Sequence, residues 1–193
     1  MNKLLAAALV AVSALSISAA TIPSANAAMM ASSMPVYVGG APMLPTKNII
    51  ENALNSKDHT TLVAAVKAAG LVEALEGKGP FTVFAPTNEA FAALPAGTVD
   101  TLLKPANKAM LVKILEAHVA AGHWDVADLL AKAKANKGSF SFKTLSGDTL
   151  TAIAKGDRVY IQDESGGTAR ITIKNVEQSN GVIQVVDKVL LPK

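Results

Sequence analysis

Cysteine is absent from the 193-residue chain, which excludes disulfide bonds, cysteine-ligated metal sites and a lipid-modified cysteine. Aromatic residues are scarce, at 4% of the sequence, and they do not alternate with clusters of lysine and arginine. Because nucleic-acid-binding domains present a basic patch or stripe, we do not expect nucleic acid as a partner. The formal net charge of +3 is small and comes from scattered residues.

The longest apolar run lies near the N-terminus and is too short to cross a bilayer, which takes about 20 residues. It extends from Leu4 to Ile17, follows Asn2-Lys3 and precedes the small residues Ala25-Asn26-Ala27. This order is typical of a secretory signal peptide with its cleavage site. We therefore predict a signal peptide over residues 1–27 and export of the mature chain to the periplasm or the extracellular medium, without a transmembrane segment.

Residues 28–45 are rich in methionine, proline and glycine and have no regular apolar period. They predict an extended N-terminal arm, in which Val36 to Val38 can pair as an edge strand. Thioethers are soft ligands for Cu(I), but the irregular spacing of the methionines and the lack of an accompanying histidine favour loose apolar residues. Met34 and Met43 are retained as candidates for a ligand surface.

Helical spacing dominates the first part of the remaining chain. Thr46 or Asn48 can cap a first helix, Asp58 can begin a second that Gly70 ends, and Thr98 can cap a third. The apolar period predicts two further helices, over residues 106–119 and 126–135.

Beyond Gly138 the apolar period changes from about 3.6 residues to about 2, which is typical of strands. Turn sequences such as Ser146-Gly147-Asp148 and Asn180-Gly181 separate these strands closely and indicate an antiparallel meander. One more strand pattern, at Phe81 to Ala85, lies among the helices. The fold class predicted is therefore α+β.

The segment Phe81 to Phe91 reads FTVFAPTNEAF, and its strand pattern stops abruptly at a proline. A ligand-binding loop would explain the polar residues that follow. Capping explains them without a ligand, because Thr87 or Asn88 can cap the helix that carries Phe91 while Pro86 fixes the backbone before it. We favour the structural interpretation.

This segment, together with SNGVIQVVDKVLLP at Ser179 to Pro192 and ILEAHVAAG at Ile114 to Gly122, resembles the two signature segments and the central histidine region of the fasciclin domain. The resemblance covers nearly all of residues 46–193 and is to single-domain secreted bacterial members. It implies a wedge or sandwich of antiparallel strands packed against several helices. It also implies a secreted or surface-attached module of cell adhesion, without a generally accepted enzymatic activity. The family motif residues, which we interpret as mainly structural, are Phe84, Pro86, Thr87, Asn88, Phe91, His118 and Asp187.

Two positions depart from the family pattern. Ala117 precedes His118 where the family usually has a tyrosine, and Gln184 stands where the family often has a histidine. Since the tyrosine-histidine region of animal members has been tied to integrin recognition, the resemblance gives little support for integrin-like binding here.

The sequence offers little for metal binding. His118 lies on the apolar stripe of its predicted helix, so a buried histidine bonded to the backbone is its expected role. His123 and Asp125 could begin a metal site, but zinc needs three or four converging ligands, and His59 belongs to a different helix start. We therefore expect neither a metal nor another cofactor.

Catalysis has equally little support. No Gly-x-Ser-x-Gly elbow exists, and no recognisable motif places a histidine beside a serine, so no catalytic residue is assigned. Ser165 to Arg170, SGGTAR, lacks the Lys-Ser/Thr ending of a phosphate loop and is predicted to be a hairpin turn. Asp187 is predicted to accept hydrogen bonds near the first signature segment, not to act as a base.

The function predicted is an exported, non-enzymatic binding or cell-adhesion module whose partner is an unidentified cell-surface or extracellular protein or polysaccharide. The alternative is a carrier of a lipophilic small molecule such as a carotenoid, which some fasciclin proteins bind. The candidate ligand surface comprises His118, His123, Trp124, Met34 and Met43.

Overall fold

The structure, a computed structural model, describes residues 35–193. The predicted signal peptide and Met34 lie outside the described residues. No helix within residues 35–193 has both the length and the apolar character that a bilayer crossing requires.

The helices precede most of the strands, as the sequence predicts. They are α1 (Ile49–Ala53), α2 (Thr60–Ala69), α3 (Val72–Glu76), α4 (Asn88–Ala92), α5 (Thr98–Leu102), α6 (Lys108–Ala117) and α7 (Val126–Ala135), with short 3-10 turns at Lys57–His59 and Pro105–Asn107. The strands are β1 (Val36–Val38), β2 (Ala41–Met43), β3 (Phe81–Pro86), β4 (Val119–Ala121), β5 (Ser139–Lys143), β6 (Thr149–Lys155), β7 (Arg158–Gln162), β8 (Thr168–Gln178) and β9 (Gly181–Val186).

Three details of the helix prediction are wrong. Asp58 lies in a 3-10 turn and does not cap α2. Thr98 is the first helical residue of α5, where Gly97 holds the cap position. The helix predicted to reach Val119 ends at Ala117, because Val119 begins β4 and pairs with Val83 of β3.

The first described residues form a hairpin. β1 pairs with β2 in antiparallel register, and Gly39 and Gly40 make the turn at positive φ. The alternation of the two short strands points Val38 and Met43 into the helical core, where each is only 3% exposed. The strand predicted at 36–38 is confirmed, whereas the prediction that Met43 is loose is wrong.

The larger sheet has the strand order β4-β3-β9-β8-β7-β6-β5. β5 to β9 form the predicted antiparallel meander, and the parallel pair of β3 and β9 lies between β4 and β8. An isolated bridge from Ala120 to Thr144 joins the two ends of the sheet, which therefore forms a mostly closed wedge. The predicted α+β class with a strand wedge against helices is confirmed.

The apolar core lies on both sides of β3 and β9. Val83 and Ile183 face the helical side, where residues of α1, α2 and α6 meet them. Phe84 and Val186 face the interior of the wedge, which α7 covers with Leu129. Strands that are buried on both faces carry nearly continuous apolar sequence, and this explains the apolar composition of β3 and β9.

Candidate functional site

The two signature segments lie side by side in the structure. β3 pairs with β9 in parallel register from Phe81↔Gly181 to Pro86↔Val186. At the start of this pairing the backbones approach so closely that a Cβ atom on Gly181 would lie 2.0 Å from the Phe81 carbonyl oxygen. The asparagine-glycine turn predicted before β9 is thus also a packing requirement.

Thr87 caps α4, which confirms the structural interpretation of the polar residues after Pro86. Its side-chain oxygen accepts a hydrogen bond of 3.3 Å from the amide of Ala90. Pro86 is the last residue of β3, and Phe84 and Phe91 are buried in the two core clusters.

Asn88 caps a different helix. Its side-chain oxygen accepts hydrogen bonds from the Thr61 amide at 3.0 Å and the Thr60 hydroxyl at 3.1 Å, while its amide nitrogen donates to the Lys57 carbonyl at 2.8 Å. Asn88 therefore caps α2, whereas the sequence predicted that Asp58 would do so. Both polar atoms of this side chain are bonded within the fold.

His118 is buried at the end of α6, with 2% of its surface exposed. Nδ1 donates to the Ile114 carbonyl at 2.8 Å, and Nε2 accepts from the Leu190 amide at 2.9 Å, which fixes the neutral tautomer. Burial lowers the pKa of His118 from 6.5 to about 4, outweighing the opposite effects of the Ile114 carbonyl and Asp163. This histidine joins two segments of the fold and is shielded from solvent.

Gln184 occupies the position where the family often has a histidine, and it is fully buried. Its side chain accepts from the Asn175 amide at 2.9 Å and donates to the Trp124 carbonyl at 3.1 Å and to the Asn175 side chain at 3.0 Å. These bonds tie the loop after β4 to an irregular part of β8.

Asp187 is a hydrogen-bond acceptor, as predicted, and its partner is Arg170 of β8. Its carboxylate accepts from the Arg170 amide at 2.7 Å and lies 3.5 Å from the Arg170 Nε atom. The residue before it, Val186, pairs with Pro86 of the first signature segment and accepts a hydrogen bond from the Thr87 amide, so Asp187 lies next to that segment.

One serine-histidine contact exists that the sequence did not reveal. The Ser56 hydroxyl lies 2.9 Å from Nδ1 of His59, and both residues are only 3% exposed. A hydrolytic serine needs an accessible hydroxyl and a histidine that a third group orients. Here Nε2 of His59 bonds to none of the described residues, and the hydroxyl lies beneath the Gly39 turn.

An apolar cavity of about 40 Å³ lies between the β1–β2 hairpin, the helices and the inner strands. Met43 and Val38 line it from the hairpin, and Leu62 and Val66 line it from α2. The polar residues on its wall are Ser56, His59, Lys67 and His118. Met43, a predicted surface residue, is thus part of an internal wall.

Trp124 is partly exposed and lies in an aromatic cluster with Phe140 and Phe142, at ring-centroid distances of 5.6 and 6.0 Å. Its indole nitrogen donates to the Ala121 carbonyl at 3.0 Å, and the Lys132 ammonium lies 5.4 Å from its ring. The ring covers the edge of the wedge core and leaves one part of its surface to solvent.

His123 lies between two carboxylates at the surface. Its Nε2 atom is 3.0 Å from the Glu177 carboxylate of β8, and its Nδ1 atom is 3.8 Å from that of Asp125. One ligand atom from each of the three residues lies within 4.8 Å of the others. Glu177 was missed in the sequence because 54 residues separate it from His123.

The fasciclin domain family matches residues 57–192 of the chain. The chain belongs to the fasciclin domain family. Protein sll1483 of Synechocystis is 49% identical over 144 residues, which make up 75% of this chain and 73% of that protein. Immunogenic protein MPB70 of Mycobacterium bovis is 33% identical over 145 residues, covering 72% of this chain and 66% of that protein.

The solved structure of a FAS1 domain pair from the insect cell adhesion molecule Fasciclin I matches with a TM-score of 0.67 and 18% sequence identity. The match covers 75% of this chain and 51% of that one, and it shows that the two share a fold.

Within this fasciclin domain, the structure separates the predicted ligand surface into different environments. His123 and Trp124 are neighbours at the surface, whereas His118 and Met43 are buried. The polar signature residues Thr87 and Asn88 are bonded within the fold.

Proposed function

We propose that this fasciclin domain is an exported, non-enzymatic binding module of the cell-adhesion type. The observation that carries the proposal is membership of the fasciclin domain family. The polar signature residues Thr87 and Asn88 form hydrogen bonds within the fold, which leaves them a structural role and not a catalytic one. The likeness in fold to a domain pair of an insect cell adhesion molecule supports the proposal.

The buried polar groups support a binding role over a catalytic one. Both ring nitrogens of His118 are bonded to main chain, and burial lowers its pKa, so it is a poor proton shuttle at neutral pH. The Ser56–His59 pair is buried and has no carboxylate bonded to the other imidazole nitrogen among the described residues.

The outer face of the meander suggests the chemistry of the partner. Between Ser139 and Lys174, the strand positions that alternate with buried residues carry exposed basic side chains and no acidic ones. The basic residues on this face are Lys143, Lys155, Arg158, Arg170 and Lys174. Both arginines of the sequence are among them. Asp187 pairs with Arg170 at the margin of this face, and the other basic residues on it fit an anionic polymer, such as an acidic polysaccharide of the cell surface.

Deletion of the gene and measurement of attachment to surfaces and to other cells tests the proposal. We expect attachment to fall and to return when the wild-type gene is restored. Restoration with the double variant Arg158→Glu and Lys174→Glu should fail, whereas Lys57→Glu with Lys104→Glu makes the same charge change on the helical side and should succeed. Unchanged attachment of the deletion strain, with no partner recovered by crosslinking on intact cells, would count against the proposal.

Carriage of a lipophilic small molecule such as a carotenoid is the second candidate, and the apolar cavity favours it. An apolar cavity that binds benzene has a volume of about 150 Å³. The cavity here, at about 40 Å³, therefore admits a lipophilic ligand only if the β1–β2 hairpin moves away from α2. Protein purified from its native host should then show the absorption spectrum of a bound pigment. A colourless, lipid-free preparation that also fails to take up added carotenoid would exclude this role.

A further inference from the structure

We propose that His123, Asp125 and Glu177 form a surface site for a first-row divalent transition-metal ion of the Zn²⁺ type. The inference is independent of the adhesion proposal, because it rests on the arrangement of these three side chains and on the polar network behind them.

The first observation is that the Asp125 side chain does not cap α7, although Asp125 directly precedes this helix. It occupies the N-cap position of α7, where an aspartate normally accepts a hydrogen bond from an amide of the first turn, but its side chain makes no such bond. The Val126 amide, at the first helical position, donates to the side-chain oxygen of Asn175, at 2.9 Å. The Asp125 carboxylate is not engaged as a cap and lies near His123 instead.

Asn175 is held firmly in its position at the start of α7. It has a positive φ of 53° in an irregular part of β8, and Gln184 bonds to both its amide and its side chain. The same irregular segment ends two residues before Glu177, whose carboxylate lies 3.0 Å from Nε2 of His123. The network of Gln184 and Asn175 therefore positions the acidic groups on both sides of His123.

The second observation is an orphaned carboxylate oxygen. Oδ1 of Asp125 is buried and accepts no hydrogen bond from any described residue, although it lies 3.8 Å from Nδ1 of His123. A buried carboxylate oxygen without a partner is costly, and a bound ion is one of the few arrangements that removes the cost.

The geometry and the donor types agree with a metal. Ligand atoms that share a Zn²⁺ ion at about 2.1 Å lie about 3.0–3.4 Å apart, and the His123–Glu177 distance of 3.0 Å already fits. The Asp125 oxygen lies 3.8 Å from Nδ1, the other ring nitrogen, so an ion bound at Nε2 requires the partly exposed Asp125 side chain to rotate towards Nε2. One imidazole and two carboxylates would balance a divalent charge, and imidazole favours Zn²⁺ or its neighbours over Mg²⁺. Three protein ligands leave a position for water or for a group from another molecule.

Titration of the untagged chain with Zn²⁺, after chelator treatment and in a non-coordinating buffer at pH 7.5, tests the site by calorimetry. We expect saturable binding of one Zn²⁺ per chain and no comparable binding of Mg²⁺. Glu177→Gln and Asp125→Asn should each weaken binding by at least about 10-fold, since even a group behind a ligand costs that much. His123→Ala should abolish binding.

The matched control is Glu73→Gln, the same change at an exposed glutamate of α3, which should bind Zn²⁺ like the wild type. Unchanged unfolding midpoints of the metal-free variants would show that each is folded. Zn²⁺ should also raise the unfolding temperature of the wild type but not of His123→Ala. The proposal is overturned if the wild type binds no Zn²⁺, or if Glu177→Gln and Asp125→Asn bind it as tightly as Glu73→Gln. In that case the three side chains form only an ion-pair cluster.

Discussion

The Nε2 atom of His118 accepts a hydrogen bond of 2.9 Å from the main-chain amide of Leu190, and this bond joins the end of α6 to the second signature segment. With the Nδ1 bond to Ile114, it makes the central histidine of this fasciclin domain a cross-link inside the fold.

Replacing His118 with leucine should therefore destabilise the fold. The Leu190 amide and the Ile114 carbonyl would both lose their partner in a buried place, at a cost of about 2–4 kcal/mol in the free energy of unfolding. Urea unfolding at pH 7.5 measures this. His123→Leu, the same change at a partly exposed histidine, should cost less than about 1 kcal/mol. Equal effects of the two variants would show that the buried bonds contribute little.

Stability should fall as the pH falls from about 6.5 to about 4. In the unfolded chain a histidine protonates near pH 6.5, whereas His118 in the folded chain stays neutral down to about pH 4. The contribution of His118 to the free energy of unfolding is therefore fully present above pH 6.5. It decreases by about 3 kcal/mol in total as the pH falls to about 4. Burial also lowers the pKa of His59, which adds an effect of the same sign.

Urea unfolding of the wild type and of His118→Gln at pH 7.5, 6 and 5 isolates the contribution of His118. The variant should be less stable at pH 7.5 but should lose less stability on acidification. Parallel pH profiles for the two proteins would contradict the pKa assignment.

Replacing Asn88 with alanine should loosen the start of α2. The variant loses the bonds to the Thr61 amide, the Thr60 hydroxyl and the Lys57 carbonyl, and loss of a helix cap costs about 1–2 kcal/mol. Hydrogen exchange of the Thr61 amide should accelerate by a corresponding factor. Asn88→Asp keeps the acceptor and loses the donor, so it should protect this amide better than Asn88→Ala. Equal exchange in both variants would mean that Asn88 is not the cap.

Replacing Gly181 with alanine should disrupt the pairing of β3 with β9. The added Cβ would lie 2.0 Å from the Phe81 carbonyl oxygen, so β3 and β9 must separate, at a cost of more than about 3 kcal/mol. Gly147→Ala is the control, because Gly147 has a φ of 85° but open space around it, and its cost should be only that of backbone strain, about 1 kcal/mol. Equal unfolding midpoints for the two variants would contradict the close approach.

The sequence predicted correctly those helices and strands that are determined by the spacing of apolar residues and by turn residues within the element itself. The helix predicted at residues 126–135 is confirmed, because an apolar helical period coincides there with a glycine at 138 that ends it. The helix predicted to reach Val119 was too long, since the pairing of β4 with β3 overrides the helical period at its last residues. The parallel pairing of β3 with β9 joins segments 100 residues apart and leaves no local trace.

The roles of individual side chains also divide into those set by neighbouring residues and those set by contacts between distant segments. The capping of α4 by Thr87 could be predicted from neighbouring residues, whereas the capping of α2 by Asn88 depends on contact between distant segments. His123 and Asp125 are two residues apart in the sequence, but only the irregular segment of β8 brings Glu177 to them. Burial of Met43 likewise depends on where the hairpin packs, which a short strand pattern does not indicate.

Equilibrium binding of the labelled, purified chain to intact cells of its source tests the proposed function most directly. We expect saturable binding that unlabelled chain displaces, that weakens with added salt, and that Arg158→Glu with Lys174→Glu abolishes while Lys57→Glu with Lys104→Glu does not. Binding that does not saturate, or that is no greater than that of an unrelated protein of similar charge, would contradict a role as an adhesion-type binding module.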